Sequence, residues 1–314
     1  MTLNVAVQMD PIEKVKIAGD STFALMLEAE KRGHRLWHYG PERLSWSEGT
    51  TRALARPLTV RRAEGDHFEW LGDAETIDLG ADADVVLMRQ DPPFDIGYIT
   101  ATHLLEMVMD RTLVVNNPVE VRNAPEKLFV LNFADLMPPT LITRSLDEAR
   151  AFQREHGAAV LKPLHGKGGE AVFKMEAGDG NLGALVELFS DIHEEPFIVQ
   201  AFLPAVAEGD KRIVLVDGEV AGGVNRLPKK GEIRSNFAAG GSGAKTELTD
   251  REREICARLA PELKRRGLLF VGIDVIGGLL TEINVTSPTG IVAIDRYNGS
   301  DTPAMIWDAI ESKL

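Results

Sequence analysis

Phe270–Ile291 reads FVGIDVIGGLLTEINVTSPTGI. Two apolar runs, roughly Leu268–Ile276 and Leu279–Thr286, flank Gly277-Gly278, the pattern of a hairpin. Three oxygen-bearing side chains interrupt them: Asp274, Glu282 and Asn284. Side chains alternate along a strand, so Glu282 and Asn284 share a face. Asp274 joins them in one register only. A two-residue Gly-Gly turn pairs Asp274 with Thr281 and sends the carboxylates to opposite faces. A three-residue connection with a glycine bulge pairs Asp274 with Glu282, and this is the connection expected. Two carboxylates and an amide oxygen gathered in an apolar sheet are costly unless a cation compensates them. Hard oxygen donors without His or Cys suit Mg²⁺, which usually arrives with substrate phosphates. A solvated polar face would explain any one of these acidic residues. It explains the trio, set beside a Gly hairpin and an Asn-Val-Thr-Ser-Pro-Thr loop, less well.

The 314 residues exceed one small core and call for two or three packed units. Hydrophobic residues at 44% and charged residues at 26% are ordinary for a globular chain. A formal net charge of −13 argues against nucleic acid or an anionic membrane as partner, so an anionic ligand needs a local cluster of Lys and Arg. The one cysteine, Cys256, falls in an amphipathic helical pattern and reads as buried filler rather than a nucleophile. MTLNVAVQMDP runs straight into a strand with no charged-then-apolar leader, and no apolar run approaches the ~20 residues that span a bilayer. A reducing cytoplasm is the expected compartment.

From the N-terminus, strands at Leu3–Met9, Arg35–Tyr39, Asp84–Met88 and Thr112–Val115 alternate with helices starting at Asp20-Ser21 and near Gly97. Such alternation predicts a parallel sheet with helices on both faces and ligands at its carboxyl ends, where the Asp10-to-Asp20 loop and Arg89 lie. Arg89 reads as a carboxylate-binding residue, with a structural salt bridge as the alternative. Residues 40–79 are weakly patterned, short strands with an insertion, and 116–125 resembles a linker.

Beyond it, Pro125-Glu126-Lys127 opens a helix, and a lysine in a first helical turn suggests an anion nearby. Ser145 and Glu148 form a capping-box pattern. The strand Ala158–Pro163 carries Lys162, followed by His165-Gly166-Lys167-Gly168-Gly169-Glu170 and a strand at Ala171–Met175. That stretch is neither GxxxxGK[ST] nor GxGxxG. It reads as a glycine-rich flap between antiparallel strands, covering a nucleotide. Phe197–Leu203 is an apolar strand, and Lys211–Val216 with Glu219–Arg226 a hairpin turning at Asp217-Gly218. Leu227–Glu247, polar and Gly-rich with Lys229, Lys230, Arg234 and Asn236, reads as a lid over phosphates. Together these pieces predict a nucleoside triphosphate held between two antiparallel layers, with Lys127, Lys162 and Arg212 against the phosphates.

MDPI, DSTFALMLEA, LMRQDPPFD, EKLF, LKPLHGKGG, GDKRIVLVDGE, NFAAGG and the opening stretch resemble, in order and over nearly the whole chain, the motifs of the ATP-grasp carboxylate–amine ligases, and among them the bacterial glutathione synthetases. The resemblance implies an α/β fold: a Rossmann-like parallel-sheet domain over residues 1–122, and an ATP-grasp domain of two α+β subdomains, 123–195 and 196–314, clasping ATP. It implies ligation of γ-glutamylcysteine to glycine through an acyl phosphate, with Mg²⁺ (or Mn²⁺) and a homo-tetramer. By motif position, Lys127, Lys162, the flap glycines Gly166, Gly168 and Gly169, and Asn236 would hold the nucleotide. Gln200, Ala201, Phe202 and Leu203 would face adenine, and Glu208 the ribose. Arg212 would stabilise the acyl phosphate, with Lys162 and Arg234 as the other catalytic cations, and Asp274, Glu282 and Asn284 would hold metal. Asp20, Ser21, Arg89, Ser287, Pro288 and Thr289 would contact peptide or glycine. The flap departs from the pattern in carrying Lys167 and Glu170, and Gly290–Asn298 matches weakly. Rival readings are another ATP-grasp ligase, joining D-alanines or adding glutamate to a peptide, a non-catalytic nucleotide binder, and a nicotinamide oxidoreductase. The last lacks GxGxxG.

Overall fold

The computed structural model describes residues 1–166, 168–192 and 195–314. Its first sheet has a parallel centre: β1 (Asn4–Gln8), β2 (Arg35–Tyr39), β7 (Val85–Met88) and β8 (Leu113–Val115) lie in the order β2-β1-β7-β8. Both faces are covered, so Val5–Gln8 and Val85–Met88 are buried without alternation. The weakly patterned segment 40–79 extends this sheet with antiparallel strands. They are β3 (Leu44–Ser47), β4 (Thr50–Val60), β5 (Phe68–Trp70) and β6 (Glu75–Asp78), with β4 paired to β2. The sheet is therefore mixed rather than purely parallel. Strand order reverses between β1 and β7, which puts Asp10 and Arg89 at a topological switch point. α1 (Ser21–Lys31) is capped by Asp20, whose Oδ1 accepts the Phe23 N–H at 2.7 Å. α2 (Ile96–Glu106) covers the sheet, and the stretch expected to be a linker holds a short helix, α3 (Pro118–Arg122).

The middle unit begins with α4 (Glu126–Phe129), which tightens into 3₁₀ turns over Val130–Leu136. β9 (Thr140–Thr143), α5 (Leu146–His156), β10 (Ala159–Pro163), β11 (Phe173–Met175), α6 (Leu182–Ile192) and β12 (Phe197–Ala201) follow. The strands form an antiparallel sheet ordered β11-β10-β12-β9. Alternation sorts its faces: Ala159 and Leu161 pack with Phe197 and Val199 against α5 and α6, while Val160, Lys162 and Gln200 turn the other way. Ser145 caps α5 as expected, but the Glu148 carboxylate bonds the Thr143 hydroxyl, so only half of the capping box forms.

The last unit is a second antiparallel sheet, β15-β14-β13-β16-β17, built from β13 (Asp210–Val216), β14 (Glu219–Leu227), β15 (Ser242–Ala244), β16 (Phe270–Ile276) and β17 (Leu279–Asn284). α7 (Asp250–Arg266) carries the reciprocal capping box of Thr249 and Glu252, and Gly267 ends it at φ 64°. The Asn116 side chain bolts the first unit to this sheet. Its amide donates to Phe270 O at 2.7 Å and Val285 O at 2.8 Å, and accepts from Phe270 N at 2.8 Å. α8 (Ile291–Asn298) leads to α9 (Thr302–Glu311), which returns to α1. There Trp307 is fully buried and donates to Leu25 O at 2.8 Å, and Arg32 bonds Asp308 at 2.7 Å and Glu311 at 2.8 Å.

Candidate active site

Two hairpins, each bulged once, build one polar face. In the β16–β17 hairpin Asp274 lies opposite Glu282, as expected, but by another route. The connection is a two-residue turn, with Gly277 and Gly278 at φ 57° and 77°, rather than a three-residue loop. The extra residue is Thr281, bulged inside the ladder, and its hydroxyl donates to Asp274 O at 3.1 Å. The β13–β14 hairpin repeats the device. Asp217-Gly218 is a two-residue turn, a register shift beside Leu215 leaves Ala221 unpaired, and Arg226 comes to face Asp210. Arg212 pairs with Asp274 across β13 and β16. One face thus carries Asp210, Arg212, Arg226, Asp274, Glu282 and Asn284, while Ile213, Ile273 and Ile283 fill the core behind it.

This face and the Lys162 face of the middle sheet enclose a cleft of about 660 Å³. Of the expected residues, Lys127, Lys162, Gly166, Gly168, Gly169, Gln200, Ala201, Phe202, Leu203, Arg212, Arg234, Asn236, Asp274, Glu282, Asn284, Ser287, Pro288 and Thr289 line it. Glu208, expected at the ribose, is exposed and does not line the cleft; its carbonyl accepts from Asn225 at 2.9 Å. Asp20, Ser21 and Arg89 lie behind the wall. Asp20 is occupied as the cap of α1, and the Ser21 hydroxyl accepts Gly290 N at 3.2 Å. Arg89 is buried, donating to Pro288 O at 2.7 Å and to the Thr22 hydroxyl at 3.0 Å. In this geometry Arg89 holds the Ser287-Pro288-Thr289 loop. Arg212 also donates to that loop, at Thr289 O (3.1 Å). Lys167 lies outside the described residues.

Electrostatics centre on Asp274. Burial alone would raise its carboxyl. Instead Arg212, through bonds of 2.6 and 2.9 Å, and Arg226, at 2.9 Å, hold it well below the usual carboxylate range. Asp210 goes the other way: burial pushes it up to about 6 against the pull of Arg226. Burial also lowers the Lys162 ammonium, although Glu282 lies 3.6 Å away. Lys127 is raised, because Glu282 at 3.8 Å and the adjoining Glu126 outweigh its burial, and it donates to Gly166 O at 2.7 Å. Lys162 bonds Gln200 at 3.3 Å, and Gln200 bonds Thr140 at 2.8 Å, fixing the cleft edge of β12. In the flap, Gly168 and Gly169 take φ of 61° and 76°, and a Cβ on Gly169 would sit 3.0 Å from Asn236. His165 stacks on Phe94 of the first unit, ring centroids 6.0 Å apart.

Among the described residues no group of three His, Cys, Asp or Glu side chains gathers to hold a metal. The candidate donors are the Glu282 carboxylate, the Asn284 amide and the Asp274 carboxylate, the last held by Arg212 and Arg226; all lie on one face, a hard oxygen set. Asn284 Nδ2 is buried and unpartnered. A half-turn of the carboxamide presents its oxygen to the cleft, and the donor set then fits a divalent cation. Asp210, Arg226, Ser235 and Thr281 were not anticipated as site residues. The register carries them there, and the register depends on two bulges.

A cleft between two antiparallel sheets, lined also by the glycine-rich loop after β10 and the loop from β14 to β15, beside a mixed sheet with a parallel centre, is the ATP-grasp architecture. Two solved structures share it over their whole length. D-cycloserine synthetase DcsG has a TM-score of 0.70 at 14% identity, covering 99% of each chain. The ATP-grasp ligase PsnB complexed with minimal precursor has a TM-score of 0.64 at 19% identity, covering 100% of each. Such identities establish the fold alone. Residues 3–122 match the family model of the prokaryotic glutathione synthetase N-terminal domain, and residues 126–299 that of its ATP-grasp domain. Glutathione synthetase of Rhodopseudomonas palustris is 59% identical over 313 residues, covering 100% of this chain and 99% of the relative. That of Salmonella typhi is 42% identical over 314 residues, covering 99% of each. The chain belongs to the prokaryotic glutathione synthetases, ATP-dependent, ADP-forming ligases. Among the described residues no helix is long and apolar enough to cross a membrane.

Proposed function

We propose that this chain joins γ-glutamylcysteine to glycine, converting ATP to ADP and phosphate. The observation that carries this reading is one cleft that gathers buried Lys162 from the middle sheet, buried Lys127 from α4, and two arginines, two carboxylates and an amide from the last sheet. A carboxylate oxygen of the dipeptide attacks the γ-phosphorus, the bond to the β-phosphate oxygen breaks, and ADP and an acyl phosphate result. The glycine amine then attacks the acyl carbon, phosphate leaves, and the amine nitrogen loses its proton. Lys127 and Lys162 hold phosphate oxygens, Arg212 stabilises the acyl phosphate, and Arg234 and the flap glycines exclude water. Gln200–Leu203 face the base. A Mg²⁺ or Mn²⁺ ion at Asp274, Glu282 and Asn284 would supply neutralisation of the transferring phosphoryl group. Arg89 orders the Ser287-Pro288-Thr289 loop for the peptide substrates. The same reading includes residues 1–122 as the peptide-binding unit, a cytoplasmic location and a homo-tetramer; light scattering checks the last.

The test is product analysis with purified protein, ATP and Mg²⁺. γ-Glutamylcysteine with glycine is expected to give ADP and glutathione in equal amounts. ADP formation only with D-alanine, or only with glutamate and a peptide, would replace this reading with another ATP-grasp ligation.

A further inference from the structure

We propose that Ser235 is a positioning residue: it latches the lid, residues 228–241, to the buried network of Asp210, Arg226 and Asp274. The inference rests on the ligase reading above. Serines in polar loops normally face water, yet Ser235 is 4% exposed, while Lys229 and Lys230 a few residues away are exposed. Its hydroxyl donates to Asp210 Oδ2 at 3.0 Å. The same oxygen accepts Arg226 Nη2, and that nitrogen reaches Asp274 Oδ1 at 2.9 Å. A chain of three links therefore runs from the lid to a carboxylate of the candidate metal set.

The backbone is shaped around this latch. Gly241 N donates to Asn236 O at 3.1 Å, and a Cβ on Gly241 would lie 1.8 Å from Ser235 O. Any other residue at 241 forces the Ser235 backbone to move. A weaker tie runs from Arg234, half-exposed, to Gly169 O of the glycine-rich loop at 3.3 Å.

With the latch gone, water reaches the acyl phosphate. Water oxygen adds to the acyl carbon, the bond from that carbon to the phosphate oxygen breaks, and phosphate leaves. The dipeptide carboxylate re-forms with release of a proton. ATP is then consumed without peptide-bond formation.

The experiment measures ADP formed per glutathione made in the full-length enzyme, together with tryptic cleavage after Lys229 and Lys230. Ser235→Ala is expected to raise the ADP-to-glutathione ratio severalfold and to speed cleavage roughly tenfold or more, the range set by losing one hydrogen bond to a charged group. Gly241→Ala should do the same with the hydroxyl still present, and Ser235→Thr should restore wild-type behaviour. A merely structural role would lower turnover and melting temperature together and leave the ratio at one. A wild-type ratio and cleavage rate in both Ser235→Ala and Gly241→Ala overturn the latch. A wild-type enzyme that forms no ADP from γ-glutamylcysteine and glycine overturns the ligase reading instead, and the cleavage rates alone then decide whether Ser235 holds the lid.

Discussion

Arg226→Met tests the buried charge network. The Arg226 side chain is 5% exposed and that of Asp210 13%. Removing the guanidinium leaves Asp210 with the Ser235 hydroxyl, while its Oδ1 already lacks a partner. Asp274 keeps its bidentate bond to Arg212, so Asp210 alone is stranded. Stranding one buried charge costs about 3–5 kcal/mol. At about 1.5 °C per kcal/mol, from an unfolding entropy of about 2.1 cal/mol/K per residue, the melting temperature should fall by about 5–8 °C near neutral pH. The loss should depend on pH in a defined direction. The Asp210 carboxyl is already pushed up to about 6 by burial, and Arg226 is the largest influence lowering it, so the variant raises it further. A carboxyl with a raised native pKa binds more protons folded than unfolded, from the ordinary value near ~3.9 upward. Stability therefore falls as pH rises through that window and stays low above it. The deficit of Arg226→Met should be largest at pH 8 and shrink towards pH 5, where Asp210 is neutral. Thermal unfolding followed by circular dichroism at both pH values measures it. In the double variant Asp210→Asn/Arg226→Met most of the deficit should disappear. An equal deficit at both pH values, or no recovery in the double variant, would refute the network as described.

Glu282→Gln should leave the fold intact and lower turnover by several orders of magnitude, with Mg²⁺-dependent nucleotide binding weakened in calorimetry; an unchanged rate removes Glu282 from the metal set. Cys256 is 3% exposed and burial pushes its thiol up to about 12, so the reactive thiolate is scarce at pH 8. Iodoacetamide should label it at least a hundredfold faster in urea than in buffer, and equal rates would contradict its burial. Asn116→Ala strips partners from Phe270 N, Phe270 O and Val285 O. It should cost about 2–4 kcal/mol in urea unfolding, and a loss under ~1 kcal/mol would show that water replaces the amide.

Local pattern carried much of the fold. β2 falls on the expected Arg35–Tyr39, the Asp20 cap opens α1, and most expected site residues line one cleft. These features depend on side-chain periodicity and capping, both written within a few residues. Register was harder to read. Asp274 meets Glu282 because Thr281 bulges inside the ladder, and a bulge leaves no compositional mark comparable to Gly277-Gly278. The same invisibility hid Arg226, which a regular β13–β14 ladder would have turned away from Asp210. Arg89 shows a different limit. Its place at a strand's carboxyl end was legible, but its partner, Pro288 O, lies 199 residues away. Contacts of that span arise only when whole units dock.

α9 completes the cover of α1. Phe23, Leu25 and Met26 of α1 share a core with Ile306, Trp307 and Ile310. Trp307 meets Leu25 across 282 residues of chain, so the face of α1 turned away from its own sheet is covered only by a segment from the last unit.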